Sequence, residues 1–250
     1  MYFIPQIRNI ICIFAQKYSI PYRQMTDKYY ANEPSFHVAV DCIIFGFDEG
    51  RLQVLFQHRT IEPFNGELTP MGGFVQENET LDEAAYRVLT ERTGIKDLFL
   101  EQLEAFGDIN RDPGGRVISV AYYALLDKVH YDNKLLEKFN CKWVDANNLP
   151  TLYFDHMKMM KKAINRLQDK ITYTPIALKL LPQEFTMSQI QKLYEAILDE
   201  KLDKRNFRKK VCEMPYFTKT GKIDKSSSKR GAAIYVFDYN MYQEHRDFHL

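Results

Sequence analysis

The chain has 250 residues, is 45% hydrophobic and 14% aromatic, and balances 34 Lys and Arg against 33 Asp and Glu for a net charge of +1. Such a composition buries real cores and excludes a disordered chain, and no apolar run approaches the length of a membrane span. Four scattered cysteines, Cys12, Cys42, Cys141 and Cys212, have no C-x-x-C spacing, which argues against a zinc site and a disulfide framework and fits a reducing cytoplasm.

Residues 1–33 read as an N-terminal arm. The apolar segment from Ile10 to Ala15 follows Arg8 and precedes no small-residue cleavage site, so it makes a poor signal peptide, and Met25 is an alternative start to Met1. After Asn32-Glu-Pro, a strand is expected from His37 to Phe47, then a turn at Asp48-Glu-Gly50 and a second strand from Leu52 to Gln57. Asn65-Gly66 is a further turn. Thr80 with Glu83 forms a capping box, Leu81, Ala84, Ala85, Val88 and Leu89 recur at helical spacing, and Gly94 suits a C-terminal stop, so a helix is expected over 81–93. Strands follow at Leu98 to Phe106 and Val117 to Leu126, around the loop from Asp108 to Arg116. A short strand at Cys141 to Val144 and a helix at Phe154 to Leu167 complete a mixed sheet with helices on its faces, assigned to residues 34–172.

Two prolines, Pro175 and Pro182, mark the expected boundary to a second domain, 173–250. Thr186 and Gln189 make another capping box, and Ile190, Leu193, Tyr194, Ile197 and Leu198 give the next helix its apolar face. Asp203 is the expected N-cap of a further helix with Phe207, Val211 and Met214 inside and Lys204, Arg205, Asn206, Arg208, Lys209 and Lys210 outside. Two strands, Phe217 to Gly221 and Ala232 to Phe237, flank a basic, serine-rich loop. Helix, turn, basic helix and hairpin make a winged helix-turn-helix pattern. Between residues 201 and 230 eleven Lys and Arg face three acidic residues, the electrostatic footprint of a protein that binds a polyanion.

Duplex DNA is the expected partner. Arg205, Asn206 and Lys209 are placed near base edges in the major groove, since Arg pairs with guanine and Asn with adenine bidentately. Lys204 and Arg208 share that outer face. Thr186, Ser188 and Gln189 at the preceding helix start are candidate phosphate donors, and Lys225, Lys229 and Arg230 belong to the wing. No stacking aromatics of the kind used on single-stranded RNA are offered, because Phe207, Tyr235 and Phe237 fall at core spacing.

The stretch from Gly73 through Glu79 to Arg87-Val-Leu-Thr-Glu-Arg-Thr-Gly94-Ile95 resembles a Nudix box, in which Gly73, Glu79, Arg87, Leu89, Glu91, Gly94 and Ile95 match. Two glutamate positions of that pattern hold Val88 and Arg92. Positions 88, 91 and 92 share one helical edge, where carboxylates would converge on one ion; valine has no lone pair, and arginine carries a fixed positive charge. Magnesium wants several oxygen ligands, so no metal, no cofactor and no catalytic residue is expected. An active hydrolase would have to recruit Glu77, Glu79, Asp82 or Glu83 instead.

A degenerate Nudix domain followed by a winged helix resembles the Nudix-related transcriptional regulators, the group containing NrtR and AraR. The resemblance extends to Asn110-Arg-Asp-Pro113, Phe154-Asp-His156, Leu180-Leu-Pro182 and Asp203-Lys-Arg-Asn-Phe-Arg-Lys209. It implies a sensor pocket where the hydrolase site was, and a homodimer released by its effector from a roughly palindromic operator. L-arabinose and pentose utilisation are the preferred effector and pathway, with ADP-ribose and NAD metabolism as the alternative. Candidate effector-binding residues are Asp41, Arg59, Glu67, Glu79, Glu91, Asp108, Arg111 and Arg116, while His58 and His156 are expected to be packed or capping side chains.

Overall fold

Strand β1 (His37–Asp48) is the axis of the larger sheet. The computed structural model describes residues 32–96, 98–130, 133–225, 230–245 and 247–250. The arm expected over residues 1–33, with the choice of start between Met1 and Met25, therefore lies outside the described residues except for its last two positions. Glu49 and Gly50, both at positive φ, turn β1 into β2 (Arg51–His58), the geometry a tight hairpin demands and glycine tolerates best. On the opposite edge β1 runs parallel to β6 (Val117–Leu126), in register from His37↔Val117 to Gly46↔Leu126. β5 (Phe99–Phe106) closes that side. Short strands β3 (Leu68–Thr69) and β4 (Met71–Phe74) pair with β2 and β1, and β7 (Cys141–Asp145) pairs with β2, giving seven strands.

Side chains alternate across the sheet, so each face has its own core. Cys42, Ile44, Leu55, Tyr122 and Ala124 meet Ala84, Ala85, Val88 and Leu89 of helix α1 (Leu81–Thr93). Ile43, Phe45, Val54, Phe56, Tyr123 and Leu125 face the other way, toward Met159, Met160, Ala163 and Leu167. A short helix α2 (Asn133–Lys138) precedes β7, and those methionines belong to α3 (His156–Ile171). The helix starts two residues later than its sequence pattern suggests because Phe154 stands at φ 56, a left-handed conformation that a helix cannot include.

The segment expected to separate two domains is itself buried. Pro175–Leu180 forms a 3-10 turn whose Ile176, Ala177, Leu178 and Leu180 join the same core as Ile43 and Met159. That core continues into helices α4 (Met187–Leu198) and α5 (Lys204–Glu213) through Leu193, Tyr194, Ile197, Phe207 and Val211. His37–Leu250 accordingly forms one compact unit. A three-stranded sheet, in the order β8 (Phe185–Thr186), β10 (Ala232–Phe237), β9 (Phe217–Asp224), builds the wing, and α6 (Tyr239–His245) follows it. Among the described residues, no helix is long and apolar enough to cross a membrane.

Candidate effector cleft and nucleic-acid interface

The ends of β1 and β2, the start of β4 and the residues before α3 enclose a cleft of about 320 Å³. Its floor is polar and buried. Asp41 accepts a 2.5 Å hydrogen bond from the Ser119 hydroxyl and lies 3.7 Å from Arg111 Nη2 and 3.8 Å from His156 Nε2. Arg111 reaches in from the 107–116 loop and is held bidentately by Asp155, at 2.9 and 2.8 Å. Burial pushes the His156 imidazole below its ordinary range, although Asp41 and Asp155 pull the other way.

Two further guanidiniums line the cleft. Arg59 is fixed by the carbonyl oxygens of Pro63 and Glu62 and lies 5.2 Å from the centre of the Phe154 ring. The side chain of Arg92, on the last turn of α1, has no hydrogen-bond or ion-pair partner among the described residues. Ile61 and Phe74, both more than half exposed, form an apolar rim. The left-handed backbone of Phe154 is what turns its ring to the cleft, where it meets Phe64 edge-on and His156 at a tilt.

Of the eight effector candidates, the structure brings Asp41, Arg59 and Arg111 together in this cleft. The other five lie outside the residues that line it. Glu67 contributes a backbone carbonyl to Arg59 N and leaves its side chain exposed. Glu79 is gripped by Arg87 at 2.8 and 2.6 Å, which holds its carboxyl down to about 2. Glu91 is an exposed i,i+4 partner of the same arginine. Asp108 pairs with Lys158 at 2.9 Å beside a neighbouring shallow depression, and Arg116 spends Nη1 on the carbonyls of Gly107 and Asp108. Sequence reasoning passed over Thr69 and Phe74, read His58 and His156 as packed or capping side chains although both also line the cleft, and left Phe154 as a family marker. The Phe154-Asp-His156 segment was the available signal.

Helix α5 presents the expected basic face. Phe207 and Val211 are buried, while Lys204, Arg205, Asn206, Arg208, Lys209 and Lys210 are exposed. Asp203 caps the helix by accepting from Asn206 N at 2.8 Å. Glu195 fixes the turn between α4 and α5: its Oε1 accepts from Gln191 Nε2 and from Leu202 N, and these bonds, with Lys201, keep its carboxyl below the usual range. Ser188, Gln189, Lys225 and Arg230 are exposed, and Lys229 lies outside the described residues. Thr186 is a correction. It is 5% exposed, and its hydroxyl is engaged with Gln189 in the capping box of α4, so it offers nothing to a phosphate.

Residues 35–166 match the NUDIX domain family, and residues 177–237 match the NrtR DNA-binding winged helix domain. The chain belongs to the NrtR-type, Nudix-related transcriptional regulators. It thus carries the two parts of a ligand-responsive DNA-binding regulator. This NrtR-type chain is 34% identical, over 208 residues, to the ADPR responsive transcriptional repressor NtrR of Acinetobacter baylyi, covering 82% of this chain and 83% of that one. Its fold is similar to Shewanella oneidensis NrtR complexed with a 27mer DNA, with TM-score 0.72, 28% identity, and coverage of 80% of this chain and 93% of that one. The Nudix part is also 37% identical, over 125 residues, to the ADP-ribose pyrophosphatase of Methanocaldococcus jannaschii, covering 50% of this chain and 70% of that one. The arabinose preference drawn from the sequence finds no support in these relatives, one of which is named ADPR responsive and another an ADP-ribose pyrophosphatase.

Proposed function

We propose that this NrtR-type regulator binds operator DNA through α5 and the β9–β10 wing and senses ADP-ribose, or a closely related nucleoside diphosphate sugar, in the cleft between β1, β4 and α3. One observation carries the effector assignment: Arg59 and Arg92 line the same cleft without an acidic partner among the described residues, beside the apolar rim of Phe74 and Ile61. A free pentose has no charge and no flat base, and so leaves both features unused. A diphosphate pairs with guanidinium groups, and a nucleobase suits an exposed aromatic ring. The relatives named ADPR responsive repressor and ADP-ribose pyrophosphatase support the same choice.

In this reading the Nudix domain is a sensor and does not hydrolyse its ligand, since Val88 and Arg92 replace two box glutamates. The protein acts as a homodimer, so that two copies of α5 meet two half-sites of a near-palindromic operator. Effector binding favours an arrangement in which those helices no longer match successive major grooves. Control of genes of NAD metabolism follows from the ligand. The test is fluorescence anisotropy of DNA taken from upstream of the protein's own and neighbouring genes, at a stated salt concentration. Release by ADP-ribose and not by L-arabinose is the expected result. Release by arabinose alone would return the sugar reading, and absence of any sequence-specific binding would overturn the regulator.

A further inference from the structure

A diphosphate entering a partly desolvated cleft needs either a metal ion or fixed cations beside it. The Nudix box implies magnesium, yet the residues present do not fit that ion. Val88 is 1% exposed and packs on Gly73, so closely that a Cβ on Gly73 would stand 2.6 Å from its Cγ2. It has no lone pair to offer. Both oxygens of Glu79 are held by Arg87, and Oε1 also accepts from Gln76 N at 2.8 Å. Glu91 shares that arginine, at 3.2 Å. Both surviving box carboxylates are thus engaged by the one Arg87, and among the described residues no group of three or more His, Cys, Asp or Glu side chains is placed to hold a metal ion, Glu77, Asp82 and Glu83 included.

Arg92 occupies the remaining box position and reverses its charge. Near the C-terminus of α1 an arginine is also a favourable helix residue, and a purely structural role would end there. Its place in the cleft wall gives it a second use. Two carboxylates line the cleft, Asp41 and Asp112: Asp41 is bonded to Ser119 beside Arg111, Asp112 accepts from Gly114 N, and the neighbouring Asp155 is taken up by Arg111, which leaves Arg92 and Arg59 as cations without carboxylate partners among the described residues. A guanidinium is planar, permanently charged and matched to two phosphate oxygens at once.

We infer that this cleft binds its diphosphate without a divalent cation, the Arg92 guanidinium, assisted by Arg59, supplying the charge that a carboxylate-bound ion supplies in a complete box. The inference rests on the effector assignment above and refines it. It makes Arg92 a determinant of specificity for the phosphoanhydride, and it separates effector sensing from the magnesium level.

Calorimetric titration of the full chain with ADP-ribose, and separately with inorganic pyrophosphate, tests this in EDTA and again in excess magnesium. Equal affinity in both buffers is expected, with a loss of about 10-fold or more for Arg92→Ala, since one charge-assisted contact disappears. Arg92→Lys should recover part of that loss, and thermal melting of both variants should stay near that of the parent, which a merely structural arginine would not reconcile with weakened binding. ADP-ribose binding that requires magnesium, or that is unchanged in Arg92→Ala, overturns the inference and leaves the effector reading intact. Pyrophosphate bound in EDTA through Arg92, with ADP-ribose rejected, supports metal-free recognition and removes ADP-ribose as effector. Failure to bind either ligand ends both.

Discussion

Arg111 donates two parallel hydrogen bonds to Asp155, and both side chains are nearly inaccessible, at 4% and 11% exposure. Asp155 sits at the N-cap of α3 but makes no capping bond, because its carboxylate is turned to the arginine instead. The pair thereby sews the 107–116 loop to the start of the helix that crosses the larger sheet. Breaking a buried pair leaves an uncompensated charge and typically costs about 3–5 kcal/mol. Asp155→Ala should fall at the low end of that range, about 3 kcal/mol, since Asp41 already stands 3.7 Å from Arg111 and can take up part of the charge. Equilibrium denaturation measures it, and a loss below about 1 kcal/mol would show that the pair is no more than a surface contact.

Most of this scaffold was legible because period and punctuation agreed. β1, β2, β6 and α1 follow alternation or helical spacing between clear turns, and the capping boxes at Thr80 and Thr186 are present as read. Two-residue strands such as β3 and β8 carry no periodicity, so nothing announced them. The cleft was half legible. Chemistry marked Arg59, Arg111 and Asp41, but Glu79, Arg116 and Asp108 look the same in sequence and differ in lying outside the residues that line the cleft. Direction decides between them, and direction depends on backbone turns such as the left-handed Phe154.

The Glu79–Arg87 pair should give the fold a defined acid sensitivity. Arg87 lowers the Glu79 carboxyl from its ordinary 4.5 to about 2, chiefly by hydrogen bonding. A depressed carboxylate binds fewer protons folded than unfolded, so its contribution is complete above pH 4.5, declines as pH falls, and is gone near pH 2. Thermal melting of the wild type and Glu79→Gln across that interval checks this. The gap between them should be widest at neutral pH and close toward pH 2, and a gap constant with pH would refute the assignment.

Gly73 and Val88 should be coupled in stability. A methyl group at Gly73 collides with Val88 Cγ2 at 2.6 Å, in a region where strand β4 and α1 are tightly packed. Gly73→Ala alone should cost about 1–3 kcal/mol, as overpacked cores do. Combined with Val88→Ala, which removes the opposing methyls, it should cost less than the sum of the two single changes by about 1 kcal/mol. Simple additivity in a denaturant-based double-mutant cycle would mean that the backbone of β4 moves away instead.

The DNA reading makes Arg205 and Lys225 different kinds of residue, although both are exposed cations. Arg205 stands in the first turn of α5, next to the Asp203 cap that holds the helix start. There a guanidinium reaches base edges, so Arg205→Ala should weaken operator binding by about 1–3 kcal/mol and flatten the preference for the operator over other sequences. Lys225 lies where β9 ends, on the wing, within reach of phosphate alone. Its replacement by alanine should weaken binding to operator and random duplex alike and reduce the slope of log affinity against log salt by about 1. Anisotropy titrations of both variants over a range of salt separate the two roles. If Lys225→Ala erased sequence preference while Arg205→Ala left it intact, the wing would be the reading element and α5 would only anchor the backbone.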